Sequence, residues 1–265
     1  MKVVPLSPFD LSLAAVLILA LAILSWPLKL QLGKQLLVGG LRTTVQLLLI
    51  GFILKWLFAS ANPGWLALMA MVMLLAAGRE VMRRQQRRLA GWWGFGVGTI
   101  SLFLSSFSIA LFALTMVISI HPWYEPQYAI PLLGMLLGNT MNGISLGLDR
   151  LIQTVWQQRQ VIEARLLLGE PWSQAVGDVR RDSIRSGLTP VINAMMAAGL
   201  VSLPGMMTGQ ILAGSPPVEA VKYQILIMFL ISAGSGFGTL AAVSLAARRL
   251  FDHRHRLRLE RLTTR

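Results

Sequence analysis

The chain contains no cysteine, which excludes a disulfide framework, a thiolate zinc site and a thiol nucleophile. Histidine is also scarce, with three residues, and acids number eleven against 24 lysines and arginines. Only 13% of the 265 residues are charged, about half the ~25% usual in soluble domains. No G-x-x-x-x-G-K-[S/T] phosphate loop occurs, so hydrolysis of ATP by P-loop chemistry is excluded for this chain. What is abundant is apolar sequence. It makes up 55% of the residues and is gathered into runs of about twenty, the length of a membrane-crossing helix.

Seven such runs fall at about 9–26, 36–58, 64–82, 94–119, 128–148, 188–211 and 219–247. The expectation is an all-α fold: one polytopic transmembrane domain over residues 1–265 with seven helices. Lys2 ahead of the first run imitates a signal peptide, but that run is long for one and Trp26-Pro27 is a poor cleavage context. It is read as a retained span.

Basic residues set the orientation. Lys29 and Lys34 follow the first run, and Arg79, Arg83, Arg84, Arg87 and Arg88 the third. Six arginines from Arg150 to Arg185 follow the fifth, and seven from Arg248 to Arg265 follow the seventh. The alternate loops, 59–63, 120–127 and 212–218, contain no Lys or Arg. Positive residues stay in the cytoplasm, which puts the N-terminus outside and the basic tail 248–265 inside, in the cytoplasmic (inner) membrane. The net charge of +13 is therefore used for orientation and for anionic lipid, with no nucleic acid implied.

One loop, 149–187, is large. Ile152, Val155, Ile162 and Leu166 share a helical face, so the fifth helix is expected to continue as an amphipathic one. Gly169 stops it and Pro171 restarts the chain. Beyond the turn Trp172, Ala175, Val176 and Val179 lie on one face, with the i,i+3 pairs Asp178–Arg181 and Asp182–Arg185 on the other. The charges end at Pro190, and the sixth run follows until Pro204-Gly205 interrupts it. A surface helix joined to a broken membrane helix suggests a lever on a gate; an ordinary loop before a hairpin is the competing reading.

Enzyme-like patterns fail on context. Gly143-Ile144-Ser145-Leu146-Gly147 matches a nucleophile elbow, but that motif needs a strand-turn-helix and here lies within an apolar helix. Gly234-x-Gly236-x-Gly238 lacks a preceding strand. Pairs such as Gly234/Gly238, Gly134/Gly138 and Gly205/Gly209 are read as close helix packing. His253 and His255, in a tail of arginines, are read as solvated.

Glu163-Ala164-Arg165 followed by Gly169 resembles the coupling segment of ABC importer permeases. A longer set of motifs is similar to the FetB family: Arg181-Asp182-Ser183-Ile184-Arg185, Leu188-Thr189-Pro190, Gly199 to Gly209 (GLVSLPGMMTG) and Pro217 to Ile225. Gly138-Asn139-Thr140-Met141 adds to it, and the similarity spans about residues 34–250. The resemblance implies the membrane half of an ABC transporter assigned to iron export, with plant relatives tied to aluminium tolerance. It implies a separate ATP-binding subunit that holds ATP and Mg, a homodimer of permeases in a two-plus-two complex, and no cofactor in this chain. The coupling residues are then expected at Glu163, Gly169, Pro171, Trp172, Arg181, Asp182 and Arg185.

Polar residues at membrane depth are costly unless paired or facing water. Asn139, Asn142 and Asn193, with Ser202, Pro204, Gly205, Met206 and Met207 at the interruption, are the candidates for a gate or substrate path. Hydrogen bonding between helices is the competing use for the asparagines, and ordinary packing for the methionines. Thioethers suit Cu(I) better than iron, so metal ligands remain unassigned and iron rests on the resemblance. Other readings are a permease for a nucleotide sugar, lipid or other metal, or a non-transporting scaffold subunit.

Overall fold

The computed structural model describes residues 7–60 and 62–264. It is α-helical nearly throughout; among the described residues a two-stranded antiparallel sheet is the exception to the expected all-α fold. Packing divides the chain into two compact units, Met1–Asn62 with Leu212–Ser215, and Pro63–Ile211 with Pro216–Arg265.

The first unit is a helical hairpin of α1 (Pro8–Leu24) and α2 (Gly33–Ser60). A reciprocal cap starts α1: the Asp10 N–H donates to Ser7 Oγ (3.3 Å) and the Ser7 N–H to the Asp10 carboxylate (2.8 Å). The connection turns through Lys29 and Gln31, both at positive φ. Gly33 then enters α2 beside α1, where a Cβ would stand 3.1 Å from the Ala22 carbonyl oxygen.

The second unit opens with α3 (Pro63–Arg84) and β1 (Arg87–Leu89). The fourth span, Trp92–Val117, consists of α4 (Trp92–Leu102), a π-helical turn Phe103–Phe107, α5 (Ser108–Phe112) and a second π turn Ala113–Val117. Next comes α6 (Pro126–Gln157), which runs on past the expected end of the fifth span. After it come α7 (Arg159–Leu167), α8 (Trp172–Ala175), α9 (Gly177–Ala197) and α10 (Gly205–Leu212). Finally α11 (Pro217–Arg249) leads to β2 (Leu262–Thr264). The core forms between α6 and α11: Leu136, Ile144, Leu151 and Val155 of α6, with Ala242, Val243, Ala246 and Ala247 of α11, are fully or almost fully buried. Burying that apolar surface at ~25 cal/mol per Å² is the main favourable contribution outside the bilayer. Within lipid it gives way to close packing, which explains the small residues on α11.

Five helices are long and apolar enough to cross a bilayer: Gly33–Ala59, Pro63–Arg84, Trp92–Val117, Pro126–Gln157 and Pro217–Arg249. Pro8–Leu24 is a shorter apolar helix. The expected sixth span is not one helix. α9 ends at Ala197, the backbone turns extended at Ala198 (ψ 131°) and left-handed at Gly199 (φ +85°), and helix resumes only at Gly205. The interruption therefore precedes Pro204-Gly205, because Gly199 alone supplies the φ that other residues resist. Pro204 serves the new helix instead, its carbonyl accepting the Thr208 N–H at 3.2 Å.

Candidate functional site: the loop-end cradle and the helix crossing

The segment 159–185 folds as a knob. α7 ends in a Schellman closure: the Gly169 N–H donates to the Leu166 carbonyl and the Glu170 N–H to the Arg165 carbonyl, each at 3.1 Å. Gly169 sits at φ +90°, which explains its position there. Pro171, extended at ψ 150°, precedes α8, and Val176 joins α8 to α9. Arg165 fastens the turn from inside: its guanidinium donates to Glu170 (2.8 Å), the Ala175 carbonyl (3.3 Å) and Asp178 (3.4 Å).

The expected faces are present. Ala175, Val176 and Val179 are buried with Ile152, Val155 and Ile162, while Glu163, Asp178, Arg181, Asp182 and Arg185 are exposed. The Asp178–Arg181 and Asp182–Arg185 pairs form as spaced. Exposed pairs of this kind add only ~0.3–0.5 kcal/mol each, so this ladder offers recognition more than stability. Trp172 turns inward and stacks on Phe251 with centroids 5.6 Å apart. The apolar surface turned outward is the tip of α7, Leu167 and Leu168, at 89% and 85% exposure. Sequence reading missed this pair; two leucines directly before a helix-ending glycine on a solvated loop were the available signal.

The basic tail folds back onto its unit. β2 pairs with β1 in the register Arg87↔Thr264, Arg88↔Thr263 and Leu89↔Leu262, and Leu257, Leu259 and Leu262 pack on the core. The alternation Arg256-Leu257-Arg258-Leu259 runs into a 3-10 turn at Leu259–Arg261, and β2 follows from Leu262. Asp252 organises the turn between α11 and this strand. Its carboxylate accepts the N–H groups of Arg254 and Arg256, both at 2.9 Å, and the side chains of Arg256 and Arg258. The Arg256 backbone N–H is the main reason its carboxyl is held well below the usual carboxylate range, against the opposing effect of burial. His253 and His255 are exposed, as expected, and the His255 Nδ1 accepts the Trp172 backbone N–H at 3.3 Å. Arg87 lies over the Trp156 ring at 3.8 Å and Arg249 over Trp93 at 4.4 Å. Much of the positive charge of this unit is thus fixed at one end, where α3, α6 and α11 terminate.

The expected path residues are not gathered into one site. Asn139 Nδ2 donates to the Met135 carbonyl of its own helix at 2.8 Å, and Asn142 accepts from Arg84 of α3. The Asn142 bond follows the helix-to-helix alternative, while Asn139 bonds within its own helix. Asn193 is exposed on α9. Ser202 lies in the interruption and closes it through its backbone, its N–H donating to the Ala197 carbonyl at 3.1 Å and its carbonyl accepting the Gly199 N–H at 2.9 Å. Met206 packs at the edge of the core, while Met207 and Pro204 are half-buried. No side chain of α10, which begins at Gly205, is buried.

The G-x-S-x-G pattern is the crossing point of three helices. A Cβ on Gly187 of α9 would stand 2.6 Å from the Gly143 carbonyl oxygen and 2.7 Å from Thr239 Cγ2 of α11. Gly147 meets Val243 and Thr239 nearly as closely, at 2.9 and 3.0 Å. Ser145 Oγ is buried with no hydrogen-bond partner among the described residues. Gly234 and Gly238 pack against Thr140 as the small-residue reading expects, and Gly134 against Met73; Gly138, Gly205 and Gly209 have open space where a Cβ would go. Among the described residues no three His, Asp or Glu side chains come together as a metal centre.

Long apolar helices, basic residues collected at one end and glycine-mediated crossings define a multi-pass inner-membrane protein. It belongs to the uncharacterised protein family UPF0014, whose model matches residues 8–251. A UPF0014 membrane protein of Synechocystis is 41% identical over 243 residues, covering 90% of this chain and 91% of that protein. The probable iron export permease protein FetB of Escherichia coli is 33% identical over 255 residues, with 94% and 93% covered. ALUMINUM SENSITIVE 3 of Arabidopsis thaliana is 33% identical over 215 residues, with 81% and 77% covered. No solved structure matches. The family resemblance read from the SLPGMM region is the one these relatives bear out.

Proposed function

We propose that this chain is the permease subunit of an ATP-driven exporter of a metal ion, powered by a separate ATP-binding subunit. Iron is taken as the cargo because one relative is described as a probable iron export permease. The partner binds ATP and Mg, and two copies of each subunit make the complex. Counting α1 and the α9–α10 pair as crossings gives seven spans, with the basic end in the cytoplasm; the clustering of Arg84, Arg87, Arg165 and Arg249 at the same end supports that orientation.

The observation that carries the reading is the α7 tip. Leu167 and Leu168 form an apolar knob flanked by Glu163 and the Arg181–Asp182–Arg185 ladder, held by Gly169, Pro171 and Arg165. α9 continues without a break from this knob to the crossing at Gly187. A push on the tip therefore reaches the bundle through a rigid rod. At the far end of that rod lies the non-helical stretch 198–204, with Leu200 at 91% exposure. Irregular backbone at membrane depth persists only against protein or water, so this stretch faces the second copy and serves as the gate, with Ser202 and Pro204 on it and Gly205, Met206 and Met207 opening α10 beside it. The test is ATP-dependent metal transport by the reconstituted pair, with Leu168→Asp as the variant that uncouples it.

A further inference from the structure

Serine and threonine within helices here normally donate to the carbonyl four residues back. Thr99 donates to Phe95, Ser183 to Val179 and Ser232 to Met228, at 2.8, 2.6 and 2.7 Å. Seven buried hydroxyls break this habit: those of Ser106 and Ser145, and five more. Ser101 and Ser105 of the fourth span, Thr140 of α6, and Ser235 and Thr239 of α11 have no hydrogen-bond partner among the described residues. Buried polar atoms are ordinarily paired, and a run of exceptions in one place points to something they bind.

Ser105 and Thr140 are brought together by contact, not only by composition. At Gly238 the absent Cβ leaves room for both: a Cβ there would stand 2.8 Å from Ser105 Oγ and 2.5 Å from Thr140 Cγ2. One turn away, a Cβ on Gly234 would stand 3.2 Å from Thr140 Oγ1. On the other side, Thr239 Oγ1 lies 2.7 Å from the Cβ position of Gly143. Ser101 and Ser105 also line an open, largely apolar groove of about 320 Å³ with Leu104, Ser108, Ile109, Phe237 and Ala241. The fourth span is π-helical at Phe103–Phe107, across Ser105, and π turns inside α-helices recur at functional sites. Gln224, whose buried Oε1 is likewise unpartnered, shares the face of α11 with Ser235 and Thr239. At 1.5 Å per residue, these groups span roughly 22 Å of that helix, a large part of the ~30 Å hydrocarbon thickness.

We propose that the seam between the fourth span, α6 and α11 is a transit site for a hard metal cation, bound by neutral oxygens around Gly238. The ligand class follows from the donors. They are all oxygen, which hard divalent ions prefer, with no thiolate or thioether among them to select a soft one. They are all uncharged, so the site holds an ion weakly, as a conduction path must if the ion is to leave. This assignment deepens the reading of the chain as a metal-ion permease and rests on it for the direction of traffic.

Binding is measured on the full-length detergent-solubilised chain with manganese(II), followed by loss of the free-ion paramagnetic resonance signal. Ser105→Ala with Thr140→Val, which removes two hydroxyls at nearly constant volume, is expected to weaken binding at least tenfold and leave the melting temperature unchanged. Ser232→Ala, whose hydroxyl is already paired, is expected to bind as the unmodified chain does. Absence of manganese uptake, or equal uptake by the double variant, overturns the site. The same proteins, reconstituted with the ATP-binding partner, separate the two claims. If manganese binds at the seam but is never moved, the permease reading fails and the site stands. If it is moved at the normal rate by the double variant, the site fails and the permease reading stands.

Discussion

Gly187→Ala tests whether α9 is locked into the bundle at the crossing. The added methyl carbon would stand 2.6 Å from the Gly143 carbonyl oxygen and 2.7 Å from Thr239 Cγ2. Thr239 has a side chain that can rotate, but the Gly143 oxygen belongs to the α6 backbone and moves only with the helix. Forced expansion of a packed contact costs roughly 1–3 kcal/mol. For a domain of this size each kcal/mol lowers the melting temperature by about 2–4 °C, so a fall of about 2–12 °C is expected. The assay is thermal unfolding of the purified chain in detergent, followed by tryptophan fluorescence. Gly209→Ala is the matched control, because nothing lies within 4 Å of its Cβ position. Equal melting of the Gly187→Ala and unmodified chains would refute the crossing as the rigid link between knob and bundle.

The folded tail predicts that Trp172→Ala, which removes a stack worth about 0.5–1.5 kcal/mol, and Asp252→Asn both expose the chain after Arg254 and Arg256 to trypsin at neutral pH. Because the Asp252 carboxyl is held low in the folded state, its contribution is present above the unfolded value of about 3.9 and lost as pH falls through the lower folded value. The tail should therefore stay docked through mild acid and release only in strong acid, as followed by hydrogen exchange at Leu257 to Leu262. A cysteine placed at Glu125 is expected to react with an impermeant thiol reagent in intact cells; protection there contradicts the proposed orientation. Spin labels at Thr208 on two copies should change separation when the partner binds ATP, and a fixed distance during transport removes the stretch 198–204 as the gate.

The helices were legible because lipid imposes a simple rule: about twenty apolar residues, with charges kept to the ends. The knob was legible too, since Gly169, Pro171 and the spaced charge pairs are local signals with local causes. The interruption before Pro204 was misplaced because proline announces itself, whereas the left-handed turn at Gly199 looks like any glycine in an apolar run. The fold of the tail went unseen for a different reason. Its three-residue strand carries little local signal, and its partner strand lies 175 residues earlier at Arg88. The hydroxyl seam has no linear signature at all, since Ser105 and Thr140 meet at Gly238 only when three helices are packed.

The central claim is that a separate ATPase works this permease through the apolar tip of α7. ATP hydrolysis by the partner subunit, measured with the reconstituted permease carrying Leu168→Asp, tests it most directly. Leu168 is 85% exposed, so the variant is expected to fold and melt normally, while permease-dependent stimulation of hydrolysis falls at least tenfold. Full stimulation by a normally folded Leu168→Asp permease would contradict the account.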